Sequence, residues 1–498
     1  MTTKVVKGTL WTLVGLTVPI FFSLFATPIV TRLLGAESYG LFVLLLLIPS
    51  YLSFADLGMN IASTKFASGA FAENSPDSEA LIVRTAAFIA FASSLPIAAA
   101  MAFFSPLIVS VLNIPDHLQG EASICLKLVS VAFVINFLNN VFNTPQLSRL
   151  RMDLNISIFS GVRLAGIIAT PIVIYLGGGV IGAVVVAVAV SVLTLTGHLI
   201  VSARLLPELV GSSIDRESIR PLLRFGGPMA LAGIAAVLLT NLEKLVLTKV
   251  TSVETLAYYS IAVTFAAMLT LFSSSIVQSL MPAFSQLQGE KDRPALNALY
   301  SRGIRLTLVW LVPSVAFMVL VGKPFFTYWF GEAFGRESTG PFYVTIVGLF
   351  FNVLAYFPYS ALMAAGRSDI FAKLYWLELL PYAFLVWWLA SVFGAAGAAA
   401  AWSIRVIVDS SMLFFLAHRI GVHFAHGRKA IFAGSVLLML LPIAALAYVG
   451  EVNITILLIA FVSGIFYCVI IWVFVLQKEE IRWLRASLER LVSREASG

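Results

Sequence analysis

The chain has 498 residues, of which 60% are hydrophobic and only 11% charged, and its mean hydropathy is +0.96. A soluble domain carries about 25% charged residues, so this composition excludes a water-soluble globule: the polar surface is too small to cover it. The net charge of +7 does not indicate nucleic acid, because the basic residues lie in short connections between apolar runs and no nucleic-acid-binding motif occurs.

From the N-terminus, Lys4 and Lys7 precede an apolar run from Leu10 to Val30. It is longer than the apolar region of a signal peptide and no small-x-small site follows, so it reads as a first membrane span. A membrane helix needs about 20 mostly apolar residues. By that measure the chain contains fourteen spans, at 10–31, 39–66, 85–112, 122–147, 156–176, 180–203, 225–247, 256–284, 305–330, 341–364, 371–393, 397–418, 431–449 and 454–476. Spans five and six are separated only by Gly177-Gly178-Gly179, and spans eleven and twelve only by Gly394-Ala395-Ala396-Gly397. Glycine punctuation marks both as turns.

With the N-terminus in the cytoplasm, 24 of the 32 Lys and Arg residues fall on the cytoplasmic side, six outside and two (Arg163 and Arg405) within spans. Losing one span would scramble this bias for every later loop, so it supports the orientation and an even count. Losing both spans around a glycine turn would preserve it, so twelve spans remain compatible. The linker-like loop from Arg204 to Arg224, with Pro207, Gly211 and Pro221, divides the chain. The expected regions are an N-terminal six-helix bundle (1–210), a second six-helix bundle (211–420), two additional spans (421–476) and a cytoplasmic tail (477–498). In the tail, Ile481, Leu484, Leu488 and Leu491 recur at helical spacing with Arg482, Arg485, Arg490 and Arg494 on other faces, the pattern of an amphipathic helix on an anionic leaflet. Cys125 and Cys468 lie in apolar runs and read as packing residues, with no disulfide or metal spacing.

The chain also repeats itself. Arg32-Leu33-Leu34-Gly35-Ala36-Glu37-Ser38-Tyr39-Gly40 closes span one, and Lys249-Val250-Thr251-Ser252-Val253-Glu254-Thr255-Leu256-Ala257 closes span seven. Laying Arg32 on Lys249 brings Glu37 onto Glu254 and Gly40 onto Ala257. Six spans separate the copies, so both halves share one orientation, which implies a pseudo-two-fold axis along the membrane normal.

Thr31-Arg32 through Gly40-Leu41-Phe42, followed by Ala55-Asp56-Leu57-Gly58-Met59-Asn60, resembles the N-terminal signature of the polysaccharide transporter family, which includes the O-antigen and exopolysaccharide repeat-unit flippases. Asn241-Leu242-Glu243-Lys244 resembles that family's acidic–basic pair in span seven. At motif level the resemblance covers only 1–70 and span seven. It implies an all-α membrane protein of two six-helix bundles around a cavity open alternately to each side, plus two C-terminal helices. It further implies flipping of undecaprenyl-pyrophosphate-linked oligosaccharide from the inner to the outer leaflet of a bacterial cytoplasmic membrane. Lipid II flippases of the same superfamily carry arginines in span one. Here that span has Thr12, Thr17, Ser23 and Thr27 but no cation, which favours the oligosaccharide branch.

Charges near the bilayer centre cost roughly 2.5–3.5 kcal/mol each on insertion scales, so those retained face a cavity or a partner. Arg163, Arg405, Lys244 and Arg32 are the candidate cavity cations for a pyrophosphate or acidic sugar. Arg405 and Asp409, spaced i, i+4, can equally satisfy each other. Glu378, Glu243, Asp56 and Asp409 are the candidate ion-coupling or structural carboxylates: Glu378 for a proton- or sodium-linked site, Asp56 to fix a helix bend with Gly58. Tyr375, Trp376 and Tyr382 could stack on sugars, whereas Trp387, Trp388, Tyr328 and Trp329 fit the interfacial belt. No resident cofactor or metal is expected, and Na+ or H+ coupling is the open alternative to none. Expected partners are lipid-linked oligosaccharide, membrane lipids and polysaccharide-assembly proteins such as a polymerase, for a chain acting as a monomer. The competing readings are a cation-coupled multidrug exporter, disfavoured by the cations, and a membrane glycosyltransferase or polymerase. The last is disfavoured by short, histidine-poor outer loops, so the chain is not read as an enzyme. His117 reads as a surface residue, and a metal site at His418, His423 and His426 is disfavoured. No GxxxxGK[ST] loop is present to power transport by ATP.

Overall fold

A computed structural model describes residues 2–211, 213–270, 284–287, 293–367, 369–423 and 454–475. The expected span thirteen, the tail helix, His426 and the end of span eight (271–283) lie outside the described residues. The described chain is helical without a strand, and nine of its helical stretches are long and apolar enough to cross a membrane.

Two of these stretches are too long for one crossing. Met152–Leu205 runs 54 residues, ~80 Å if straight against a hydrocarbon core of ~30 Å. It folds back on itself. Helix α7 (Met152–Val173, following α1–α6) meets α8 (Gly179–Leu205) through a turn in which Gly177 and Gly179 take φ values of 91° and 53°. Gly182 packs on Val173, Gly166 on Val190 and Gly197 on Ile158, pairs that mirror each other about Gly178. That is an antiparallel hairpin of two helices, closed by glycines because only they accept these dihedrals cheaply. A second turn of this kind interrupts the helix Asp369–Arg419 at Gly394, φ 57°.

The other elements, in order, are α1 (Thr2–Tyr51), α2 (Met59–Ala72), α3 (Pro76–Phe103), α4 (Ser105–Val111), α5 (Asp116–Phe142) and α6 (Thr144–Ser148). After the α7–α8 hairpin come α9 (Arg216–Val250), α10 (Val253–Ala266), α11 (Arg293–Phe330), α12 (Glu332–Glu337), α13 (Thr339–Ala364), α14 (Asp369–Arg419) and α15 (Ile454–Ile470). Helix α1 breaks at Gly35, φ 78°. The second crossing, expected over 39–66 with a bend at Asp56 and Gly58, is interrupted rather than merely bent. It stops at Tyr51, makes one 3-10 turn over Ser53–Asp56, passes through Leu57 and Gly58 in left-handed geometry, and resumes as α2. The Asp56 carboxylate holds the break by accepting the Gly58 N–H at 2.7 Å, and Ser93 donates to the Ala55 carbonyl at 2.5 Å.

The repeat reappears in the element boundaries. The register that lays Arg32 on Lys249 carries the Gly35 break onto Ser252, between α9 and α10, and the start of α3 onto that of α11. It also carries the start of α7 onto that of α14, and Gly177 onto Gly394. The repeat-related pair Gly40 and Ala257 also meet: a Cβ on Gly40 would lie 3.4 Å from that of Ala257 and would collide with the Val253 carbonyl.

The described chain forms two compact units. One comprises residues 1–261, 329–331 and 372–401, with a core of small and aliphatic side chains such as Leu44, Met59, Ala90, Cys125 and Val184. The other comprises the remaining residues and packs Phe284, Tyr300 and Phe357 with Leu296 and Ala361. Cys125 is buried and Cys468 exposed, both as free thiols. Phe103 and Leu380, each 79% exposed, belong to broad apolar faces that water would not tolerate but lipid does.

One charged anchor was hidden in the sequence. Glu79, on the first turn of α3, is 1% exposed and receives both Arg149 nitrogens, at 2.5 and 3.0 Å, with the Ser148 hydroxyl at 2.8 Å. Arg149 also covers the Phe71 ring, 4.7 Å from its centroid. Removing one partner of such a pair strands the other charge, at about 3–5 kcal/mol. Glu79→Ala should therefore lower the unfolding temperature of the detergent-solubilised protein sharply, and the double variant Glu79→Ala/Arg149→Ala should recover part of the loss. Equal stability of Glu79→Ala and wild type would show the pair to be dispensable.

Candidate functional site

Helix α7 carries Arg163 three residues after Ser160 and seven after Ile156, the two side chains that meet Gly15 of α1. At 100° per residue Arg163 shares their face, while the lipid-type residues Ile168 and Ile172, about half exposed, point the opposite way. Arg163 is nonetheless exposed, and no ion pair or hydrogen bond among the described residues engages it.

Glu243 and Lys244, adjacent on α9, diverge. Glu243 is 1% exposed and accepts the Tyr382 hydroxyl of α14 at 2.9 Å. Lys244 is half-buried and its ammonium donates to the Asn241 side-chain oxygen at 3.0 Å, while the Tyr51 hydroxyl donates to the Asn241 carbonyl at 2.6 Å. The end of α1's second limb, the middle of α9 and the first limb of α14 thus meet at a polar node. Tyr382 is 2% exposed and spends its hydroxyl on Glu243, so in this structure it is a positioning group for the carboxylate and presents no ring face for a sugar. Tyr375 is half-buried and Trp376 half-exposed. Arg32 is exposed beside the Gly35 break, Glu378, Arg405 and Asp409 are half-buried on α14, and Asp56 sits in the helix break already described. Of the predicted residues, the structure brings Glu243 and Tyr382 together across two elements.

Sequence reasoning missed an uncharged site. A cavity of about 340 Å³ opens between the second limb of α1, α5 and α8. Its polar lining is Ser50, Ser53, Asn136, Asn140 and Ser191, set among apolar residues such as Phe133 and Phe137. Close by, Asn139 donates to the Ser191 carbonyl at 3.2 Å. Further along α8, His198 Nδ1 lies 3.2 Å from the Gln146 side-chain oxygen, and Ser202 donates to the Phe142 carbonyl at 2.6 Å. Amides and hydroxyls offer both donors and acceptors, a lining suited to a hydroxyl-rich neutral group. The available signal was Asn136, Asn139 and Asn140 inside an apolar helix with Asn143 at its end, which a search for charges passes over.

The long apolar helices, broken and hinged at glycines, define a multi-pass membrane protein. Residues 29–337, more than half the chain, match the family model described as "Polysaccharide biosynthesis protein", and the chain belongs to that family. The Shigella flexneri protein named "Putative O-antigen transporter" is 22% identical over 420 residues, covering 83% of this chain and 97% of that relative. Among solved structures, the lipid II flippase MurJ in an inward closed conformation aligns with a TM-score of 0.72 at 14% identity, covering 94% of this chain and 98% of its own. An inward-facing multidrug resistance transporter of the MATE family aligns with a TM-score of 0.61 at 16% identity, covering 82% and 97%. The chain therefore shares the fold of these two transporters.

The polar node makes a testable demand. Tyr382→Phe leaves a buried Glu243 oxygen without its phenolic donor, a loss of about 1–3 kcal/mol. Glu243→Gln, which keeps an acceptor for the hydroxyl, should cost less. Thermal unfolding of the two purified variants decides, and the reverse order would remove the carboxylate from the node's energetics.

Proposed function

We propose that this protein flips undecaprenyl-pyrophosphate-linked oligosaccharide repeat units from the cytoplasmic to the outer leaflet of the bacterial inner membrane, by alternating access and without covalent chemistry. The observation that carries the reading is membership of the polysaccharide biosynthesis family together with a near-full-length relative named as an O-antigen transporter. The likeness in fold to a lipid II flippase fits the same class of cargo. The amide- and hydroxyl-lined cavity suits the neutral part of a glycan, and Arg163 stands accessible for its phosphate or an acidic sugar.

On this reading both termini are cytoplasmic and the chain acts as a monomer that hands its cargo to a polymerase on the outer side. Arg163, Arg405, Lys244 and Arg32 contribute positive potential to the path. Two pseudo-symmetric six-helix bundles enclose it, and the last two spans help form the lipid-facing gap for the tail. Glu243, linked to Tyr382, or Glu378 carries the coupling H+ or Na+, its protonation state changing with access. The likeness to a multidrug resistance transporter favours one other reading, cation-coupled drug export.

Depletion of the protein separates the two. Flipping requires inner-leaflet lipid-linked oligosaccharide to accumulate and surface polymer to fall, with rescue by wild type and at least tenfold poorer rescue by Arg163→Ala or Arg405→Ala, about 1.4 kcal/mol or more of lost stabilisation. Unchanged lipid-linked pools and surface polymer, with increased sensitivity to lipophilic cations, would instead establish the drug exporter.

A further inference from the structure

A second concave site lies where α2 packs against the first turns of α9. It is an open pocket of about 620 Å³ lined by Phe66, Arg220, Pro221, Arg224 and Phe225. Arg220 and Arg224 stand one helical turn apart on one face of α9, so their guanidinium groups hang on the same side. Lys65 of α2 completes the cluster: its ammonium lies 3.7 Å from the Phe225 ring centroid and 5.4 Å from that of Phe66. The two rings meet edge to face at 6.0 Å. No acidic residue lines the pocket, and among the described residues none of the three cations makes an ion pair.

The frame is rigid. A Cβ on Gly58 would collide with the Gly226 backbone and a Cβ on Gly226 with the Leu57 carbonyl, so the two elements touch main chain to main chain. Asp215 caps α9 by accepting the Glu217 and Ser218 N–H groups at 3.0 and 3.1 Å. The Ser218 hydroxyl, which also donates to it, and those amides hold its carboxyl below the usual range. Asp215 is thus an ionised N-cap of α9 at neutral pH.

Membrane topology alone asks only that basic residues flank spans somewhere on one side. It does not ask two arginines of one span and a lysine of another to converge on an aromatic-floored hollow. Gathering like charges is unfavourable, and an anion offsets it. Arginine forks bind phosphate oxygens two at a time, and the two phenyl rings provide an apolar floor beside them. We propose that this pocket binds lipid-borne phosphate and, resting on the flippase reading, that it receives the diphosphate of the cargo before the glycan enters the path. The same chemistry is offered by an anionic phospholipid headgroup.

The test uses the full-length protein in neutral detergent and two probes: farnesyl diphosphate, titrated directly, and phosphatidylglycerol as competitor. The exposed pair Arg220→Gln/Arg224→Gln should weaken farnesyl diphosphate binding about tenfold or more, Arg220→Lys/Arg224→Lys less, and wild-type affinity should fall with added salt. Displacement of the diphosphate by phosphatidylglycerol only in large excess makes the cargo the occupant, whereas displacement at equal concentration makes it the phospholipid. Identical affinity in wild type and the double glutamine variant overturns the site. The depletion assay reads separately. Normal lipid-linked pools alongside weakened binding in the variant would sink the flippase reading and leave the phosphate site standing. Accumulation alongside unchanged binding would do the reverse.

Discussion

Inside a bilayer, backbone N–H and C=O groups have no water to turn to, so a spanning chain is helical wherever it meets lipid. Each departure from helix then needs its own supply of hydrogen bonds, which explains what surrounds the breaks in this protein. At the interruption of the second crossing, the Asp56 carboxylate takes the Gly58 N–H, Ser93 takes the Ala55 carbonyl, and the Leu57–Gly58 backbone is pressed against Gly226 of α9. At the α7–α8 turn the left-handed dihedrals of Gly177 and Gly179 let the chain reverse between the two helices.

The same constraint accounts for the repeat. The breaks at Gly35 and Gly177 have counterparts at Ser252 and Gly394 in the same register. Gly40 meeting its repeat-mate Ala257 belongs to this pattern. The Val253 carbonyl and the Ala257 methyl approach Gly40 so closely that the position admits no larger side chain.

Legibility in the sequence followed from what each feature costs. Apolar runs and glycine turns were readable, and Gly177 and Gly394 fall at turns in the structure as expected. The interruption of span two was read only as a bend that Asp56 fixes with Gly58; its full extent was not, because Ser53, Phe54 and Ala55 sit comfortably in a helix and part of the left-handed geometry falls on Leu57, a residue that gives no such signal. Charges within spans announced themselves, but their partners did not. Nothing in the spacing joins Glu243 to Tyr382, 139 positions apart, or Glu79 to Arg149, 70 apart. The serine and asparagine cavity was invisible to a search for charges, since a hydroxyl or amide in a helix costs little and recurs for structural reasons.

The partition of charge narrows what the protein can carry. Glu79 and Arg149 neutralise one another in a buried, hydrogen-bonded pair, as a structural pair must. Lys65, Arg220, Arg224 and Arg163 are accessible and make no ion pair among the described residues, and the cavity beside α5 is polar without charge. A protein built to move lipophilic cations would gain nothing from accessible cations, which repel its ligands. An amphiphile with a phosphate at the lipid junction and a hydroxyl-rich body finds complementary chemistry in both places. Unpaired carboxylates are also exposed elsewhere in the described chain, but the three cations gathered over Phe66 and Phe225 have the sign that the phosphate proposed for that pocket requires.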